Sequence, residues 1–409
     1  MTYEYIRAED YCESVRDGTH DTPKPVENGY KLVTGKHIRD GRIDPTEAYF
    51  ISEKDYIKIN ERSKVDQWDV LMSMIGNGLG RSAVVDDNPI YAIKNIALFK
   101  VGDETKAKWL HYYLSGEEGQ GRIYNSLQGS GQPFISLSYI RDFPVPNPPR
   151  EIMKRVVGVL EQYDFLIDNN QKQIKLLEEA AQRLYKEWFV DLRFPGYENT
   201  PIVDGVPKGW EKCLLEDINC SLESGSRPKG GIDASLADGV PSIGAENVIG
   251  LGCYNYSSEK LITKDFFSKM KRGKLCDKDI LIYKDGAYIG RTSLFQDGFP
   301  HLEAAVNEHV FLLHAADEHI QYYLFFTLYQ QEYYQKMQKL NKNAAQPGIN
   351  SKAMMSLPVL LPTEDILDGF DSFVTPLMHK IFNLAKQNRQ LELARDRLLP
   401  KLISGEIEV

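Results

Sequence analysis

Hydrophobic positions along the chain follow two patterns that alternate. Over 151–188 the apolar residues Ile152, Val156, Val159, Tyr163, Leu166, Ile174, Leu177, Ala181, Leu184 and Trp188 recur mainly at alternating steps of three and four, the seam of a coiled coil. Over 366–402 the series Ile366, Phe370, Phe373, Leu377, Ile381, Leu384, Leu391, Ala394, Leu398 and Leu402 does the same, with Asn388 on the stripe. An asparagine in a seam is often a register device, and the four-and-four steps around Asn170 predict local unwinding. At about 1.5 Å per residue the first seam makes a rod of roughly 57 Å, and two such rods can pair antiparallel and hold globular parts apart. Pro376 stands in the second rod where Gln162 stands in the first, and its missing donor predicts a kink or break.

Ahead of each seam the pattern shortens. Residues 30–34, 69–75, 83–85 and 96–101 read as strands separated by Gly, Asn and Asp turns, as do 279–284 and 310–314 later, with helices expected over 104–128 and 318–340. The fold class expected is α+β: two repeated mixed α/β domains separated by two long antiparallel coiled-coil helices, with pseudo-twofold symmetry. Prolines at 149 and 195 set boundary signals, giving domains at 1–148 and 196–362 and helical regions at 149–195 and 363–409.

The chain also resembles itself. Near the start of each half the shift is 207, placing Glu9-Asp10 over Glu216-Asp217 and Arg16-Asp17-Gly18-Thr19 over Glu223-Ser224-Gly225-Ser226. It becomes 210 where Asp55-Tyr56 lies over Asp265-Phe266 and Gly80-Arg81 over Gly290-Arg291, then 214 where Gln132-Pro133 matches Gln346-Pro347 and Leu177-Glu178 matches Leu391-Glu392. Two copies of this size are too few for a solenoid. A duplicated chain can present one surface twice along an object with its own approximate twofold symmetry, of which duplex DNA is the commonest.

Composition narrows the function classes. With 409 residues, 42% hydrophobic and 26% charged, the chain has the make-up of a folded soluble protein, and it contains no apolar run long enough to span a bilayer. The N-terminus lacks a basic start and an apolar signal core, so a cytoplasmic location is expected. Five cysteines without a C-x-x-C pair indicate neither a disulfide framework nor a zinc site. A net charge of −9 argues against coating nucleic acid by bulk electrostatics but leaves room for a local basic face.

No catalytic signature is complete. Gly76-Asn77-Gly78-Leu79-Gly80 could be taken for a nucleotide cradle, but the residues after it read as a returning strand, and Tyr288 replaces Gly78 in the second copy; a hairpin turn fits better. Asn147-Pro148-Pro149 resembles the motif by which amino-methyltransferases hold a flipped adenine, yet Arg150 stands where the aromatic should be. The chain lacks a P-loop, and no persuasive paired-carboxylate nuclease site is found.

Two stretches point instead to binding: 119–141 and 333–363 contain no acidic residue. Lys336, Lys339, Lys342 and Lys352 add charge to the second, and a further basic run, Lys269, Lys271, Arg272 and Lys274, lies in the second copy alone. Arg81 and Arg291 occupy the same turn in each copy, where a guanidinium could fork onto a guanine or clamp a phosphate. His20 and Arg227 follow matching Gly turns and have the donors for a base edge. The candidate DNA-contacting residues are His20, Arg81, Arg122, Gln132, Arg227, Lys229, Lys284, Arg291, Lys342 and Gln346, with no catalytic and no metal-ligating residue assigned.

Several stretches resemble the DNA-specificity subunits of type I restriction-modification enzymes. They are Leu-Glu-Glu-Ala-Ala-Gln-Arg-Leu-Tyr-Lys-Glu-Trp-Phe at 177–189, Arg-Phe-Pro-Gly at 193–196, Gly-Val-Pro-Lys-Gly-Trp-Glu at 205–211 and Arg-Leu-Leu-Pro-Lys-Leu-Ile-Ser-Gly-Glu-Ile at 397–407. Asp17-Gly18-Thr19-His20 and the Gly131-Gln132-Pro133 turn add to it, so the resemblance covers essentially the whole chain. It implies two target-recognition domains, each reading one half of a split double-stranded DNA sequence, and helical regions that act as spacer and dock two methyltransferase subunits. Leu177, Leu184, Trp188, Leu391 and Leu398 are the docking candidates. It further implies restriction subunits as partners. The chain itself would be non-catalytic and cofactor-free, with S-adenosylmethionine, ATP and Mg held by those partners. The alternatives are a stand-alone DNA methyltransferase, which would bind S-adenosylmethionine, and a coiled-coil scaffold, which would not bind DNA.

Overall fold

A computed structural model describes residues 3–39, 41–76, 78–128, 133–233, 235–341 and 348–409. The chain divides into two compact units, Met1–Phe165 with Leu391–Val409, and Leu166–Gln390.

The first unit is built on a four-stranded antiparallel sheet in the order Ser14–Asp17, Ile96–Lys100, Val70–Ser73, Ser82–Val84. Its inner strand Ile96–Lys100 is apolar up to its last residue because both faces are covered. Ala97 and Phe99 face a cluster with Trp109, Leu110 and Tyr113. Ile96 and Leu98 face a second cluster with Val33, Ile38 and Ile93. Alternation along the strand thus feeds two cores. A three-stranded sheet, Phe50–Ile51, Tyr30–Val33, Tyr91–Ile93, contains one parallel pair, Leu32 opposite Ala92. Tyr5–Arg7 pairs with Pro144–Pro146, with Ile6 opposite Val145.

The second unit repeats the topology of these sheets and adds a short hairpin, Ile202–Val203 with Val206–Pro207. Its four-stranded sheet runs Cys220–Ser224, Val310–Ala315, Ile280–Tyr283, Thr292–Leu294, and its three-stranded sheet Leu261–Ile262, Val240–Ile243, Ala305–Val306 again holds one parallel pair. Glu211–Leu214 pairs with Pro358–Leu361 as the N-terminal pair does in the first unit. The duplication read from the sequence is a duplication of the fold.

The predicted helix over 104–128 is two helices, Glu104–Ser115 and Glu117–Asn125, divided at Gly116. Its counterpart is likewise divided, into Gln321–Tyr329 and Gln331–Lys339 after a short turn.

The two seams form the long helices Arg150–Tyr185, closed by a wide π turn at Lys186–Val190, and Glu364–Ile403. They pair within each unit. In the first, Met153, Val156 and Leu160 share a core with Leu399, Leu402 and Ile403, and Arg395 donates to Asp164 at 2.6 Å. In the second, Trp188 meets Phe370 with ring centroids 6.1 Å apart, and Ile174 and Ile381 both approach Gly252. These contacts run the helices antiparallel.

Of the kink or break expected at Pro376, the break is absent: the helix Glu364–Ile403 is continuous through it. Pro376 is exposed, whereas Phe370, Val374, Met378 and Ile381 are buried to within 1% on the other side, and unwinding the helix would uncover them. That packing outweighs one lost backbone bond. Asn170 and Asn388 are both 7% exposed, and the Asn388 Oδ1 has no hydrogen-bond partner among the described residues. All five cysteines are free. Among the described residues no helix is long and apolar enough to cross a membrane.

Candidate functional site

In each unit the last two strands of the four-stranded sheet are joined by the same tight turn. Gly80 N donates to Ser73 O and Ser73 N to Arg81 O, each at 2.9 Å; Gly290 N donates to Tyr283 O and Tyr283 N to Arg291 O, each at 2.8 Å. Gly80 and Gly290 sit at φ of +80° and +87°, a left-handed geometry that disfavours a side chain. Arg81 is exposed. Arg291 is half-buried, its guanidinium 4.2 Å from the centre of the Tyr288 ring and within 3.5 Å of Val248 O. Asn77 lies outside the described residues, but the chain after it returns as the strand Ser82–Val84 and opens no helix.

His20 stands just beyond the first strand. Its Nε2 lies 2.9 Å from Asp17 Oδ2 and its Nδ1 2.9 Å from Asn95 Oδ1, while Arg62 also pairs with Asp17. Asp17 is 3% exposed, so a buried carboxylate fixes an exposed ring. Gly18 fits this turn because a Cβ would lie 2.4 Å from Ile93 O. His20 borders two clefts. One, of about 340 Å3, includes Thr19, Asp55, Lys58 and Arg62; the other, of about 410 Å3, is lined by Asp17, Asn95 and the apolar Met74, Ile75, Phe134, Ile135 and Leu137.

The same place in the second unit is charged. Gly225 makes the matching close approach to Val306 O. Arg227, two residues on, donates through Nε to Glu308 at 3.1 Å. His309 lies 3.0 Å from Asp285 through Nδ1 and 3.3 Å from Glu308 through Nε2. Lys229 is exposed, and Lys284 is half-buried with its ammonium 4.9 Å from the centre of the Phe311 ring.

Below both turns lies a buried carboxylate. Asp69 accepts from Asp66 N and from Lys100 Nζ, each at 2.7 Å, and Asp279 accepts from Cys276 N at 2.7 Å and faces His314 Nδ1 at 2.9 Å. Burial raises the pKa of both acids against the pull of these partners. They tie the sheet together and reach no cleft described above.

The other candidates separate. Arg122 is engaged by Glu118 at 2.9 Å and by the face of Tyr5, so the acid-free stretch borrows its counter-charge from a neighbouring turn. Lys336 is similarly held by Glu332 at 2.8 Å, and Lys269 by Asp265 at 2.7 Å. Lys271, Arg272, Lys339 and Lys352 are exposed. Gln132, Lys342 and Gln346 lie outside the described residues.

On the long helices Trp188 is 6% exposed and contributes to the core of its own unit, where Leu177 and Leu184 pack beside it. Leu398 packs on the core of the first unit, and Leu391 is half-buried. The apolar residues these helices leave exposed are others: Phe165, Leu166, Leu176 and Phe373. Glu178, whose pKa burial raises, accepts from Tyr329 at 2.7 Å and Gln182 at 3.0 Å. The sequence reading passed over Asn95, Arg62, Phe134, Asp285 and His309. Asn95 carried a signal, since asparagine favours the left-handed φ of +53° found there.

The fold and these sites define a duplicated α+β recognition protein whose two copies share a backbone and differ in the side chains around one turn. Residues 207–387 match the family model of the type I restriction modification DNA specificity domain. The type I restriction enzyme MjaIX specificity subunit of Methanocaldococcus jannaschii is 28% identical over 316 residues, 75% of this chain and 70% of that one. The MjaVIII specificity subunit of the same organism is 22% identical over 94% of this chain and 87% of its own. The crystal structure of the S subunit of a type I restriction-modification system from M. genitalium superposes with a TM-score of 0.54 at 14% identity, covering 98% of this chain and 96% of that one, which shows a common fold. The chain is thus similar along its length to type I restriction-modification specificity subunits, and residues 207–387 carry the match to that family's domain.

Proposed function

We propose that the chain is the sequence-selecting, non-catalytic subunit of a type I restriction-modification complex, in which each α+β copy reads one half of a bipartite duplex target. The observation that carries this is the exchange of chemistry on a constant frame: strand orders coincide, while His20, held by Asp17 and Asn95 at the edge of an apolar cleft in one copy, becomes Arg227 paired with Glu308 in the other. A protein reading two different half-sites needs this combination, because the backbone sets the approach to the duplex and the side chains set the bases. The arginines shared by both copies, Arg81 and Arg291, then serve the phosphate backbone or the turn.

Partner methyltransferase subunits would flip the target adenine and bind S-adenosylmethionine, and restriction subunits would use ATP and Mg. The net charge of −9 leaves part of the phosphate neutralisation to those partners, so affinity of the complex falls steeply with salt. The test is co-expression with the neighbouring methyltransferase gene and mapping of methylated adenines in host DNA by long-read sequencing. The expected result is a bipartite methylated motif that vanishes when this chain is omitted. Methylation that persists without the chain, or none with it, would refute the proposal.

A further inference from the structure

The backbone equivalence of the two copies extends to single hydrogen bonds. Met74 N donates to Asn95 O at 3.3 Å as Lys284 N donates to His309 O at 3.1 Å, and Ile135 N donates to Met74 O at 3.0 Å as Ile349 N donates to Lys284 O at 2.9 Å. The bridge between Ile75 and Phe134 likewise recurs between Asp285 and Gly348. Position by position, then, two apolar side chains of the first copy become charged in the second, Met74 becoming Lys284 and Ile75 becoming Asp285, while the Phe134 ring is lost at Gly348 and His20 becomes Arg227.

The chemistry of the first set is specific. Phe134 is 38% exposed at the rim of the 410 Å3 cleft, Ile75 is half-buried within it, and the polar residues that line it are His20, Asn95, Ser136 and the buried Asp17. An apolar concavity with a few donors and acceptors suits the one base edge that carries a methyl group, thymine in an A·T pair. The second set has cationic donors in Arg227 and Lys284 and acceptors in Asp285 and Glu308. A G·C pair presents two acceptors on guanine and one donor on cytosine, and this mixed set meets both. Arg227 is held through Nε by Glu308, which orients its guanidinium before any base arrives.

We infer that these equivalent positions are the principal base-reading centres, the first copy selecting an A·T pair through the thymine methyl at Ile75 and Phe134, and the second a G·C pair through Arg227. This rests on the function proposed above.

The test uses the full-length chain in complex with its methyltransferase partner and synthetic duplexes carrying the mapped motif. Each thymine of the half-site read by the first copy is replaced in turn by uracil, which removes only the methyl. Each guanine of the other half is replaced by 7-deazaguanine, which removes one acceptor. One uracil position is expected to weaken binding about fourfold, the effect of withdrawing one methyl from apolar contact. One deazaguanine position is expected to weaken it about tenfold. The uracil effect should disappear in Phe134→Ala, and the deazaguanine effect in Arg227→Ala, while each variant keeps its response to the other half-site as proof of folding. A first half-site without thymine, a uracil effect unchanged in Phe134→Ala, or a deazaguanine effect unchanged in Arg227→Ala would overturn the corresponding assignment. Binding that selects no bipartite sequence at all would overturn the proposed function itself.

Discussion

Single side chains in this protein are placed by partners far away in sequence. His20 was legible as a candidate because it follows an Asp-Gly-Thr turn, whose Asp17 holds its ring, but the other groups that fix it, Asn95 and the Arg62 bound to Asp17, come from a strand end and a helix that no local pattern joins. His111 illustrates how such placement becomes measurable. Its Nδ1 lies 2.9 Å from Ser82 Oγ in the first unit, and burial pushes its pKa from 6.5 down to about 4. The folded state therefore binds this proton less readily than the unfolded chain does. Its contribution to stability is present above pH 6.5 and is lost as pH falls from there toward about 4. Denaturant titrations should show a loss of about 3 kcal/mol from this residue across that window. The loss should be smaller by that amount in His111→Gln. Equal acid sensitivity of the two proteins would show that His111 is not held neutral in the fold.

Whole elements were easier to read than their pairings. The three-four seams marked both long helices because a continuous apolar stripe leaves a strong periodic trace, and the inner strands of the four-stranded sheets were visible as short apolar runs bounded by turns, whereas the edge strands Ser14–Asp17, Cys220–Ser224 and Thr292–Leu294, which carry polar residues, were not. The parallel pairs Tyr30–Val33 with Tyr91–Ile93 and Val240–Ile243 with Ala305–Val306 were not visible, since their partners lie some sixty residues apart in sequence. The break at Pro376 was over-read, because a local rule about donors was set against packing that the sequence does not display. That helix therefore carries an uncompensated proline on an exposed face. Pro376→Ala should raise stability by about 2 kcal/mol, restoring one backbone bond and removing a ring clash, less the entropy the proline withholds from the unfolded chain. An unchanged or lower melting temperature would mean the helix has already adjusted around the ring.

At the scale of the molecule, the repeat was legible because its anchor pairs survive small insertions, yet which segments share a core was not. The C-terminal end, Leu391–Val409, belongs to the N-terminal unit, through Leu399, Leu402 and Ile403 and the Arg395 bond to Asp164. Periodicity states that a helix has an apolar face but not whose face it meets. As a result both long helices are shared: each gives one portion to the first unit and one to the second, with the changeovers at Phe165 to Leu166 and at Gln390 to Leu391. If the helices fix the separation of the two half-sites, changing their length at these changeovers must change the target. One heptad adds about 10 Å to a helix, close to three base pairs at 3.4 Å each. Inserting a heptad at both changeovers, which keeps each seam in phase with its own unit, should shift the methylated motif to a longer spacer or abolish methylation while leaving each half-site sequence intact. A motif with its original spacer would show that the half-site separation is set elsewhere, and the spacer role of the helices would fall.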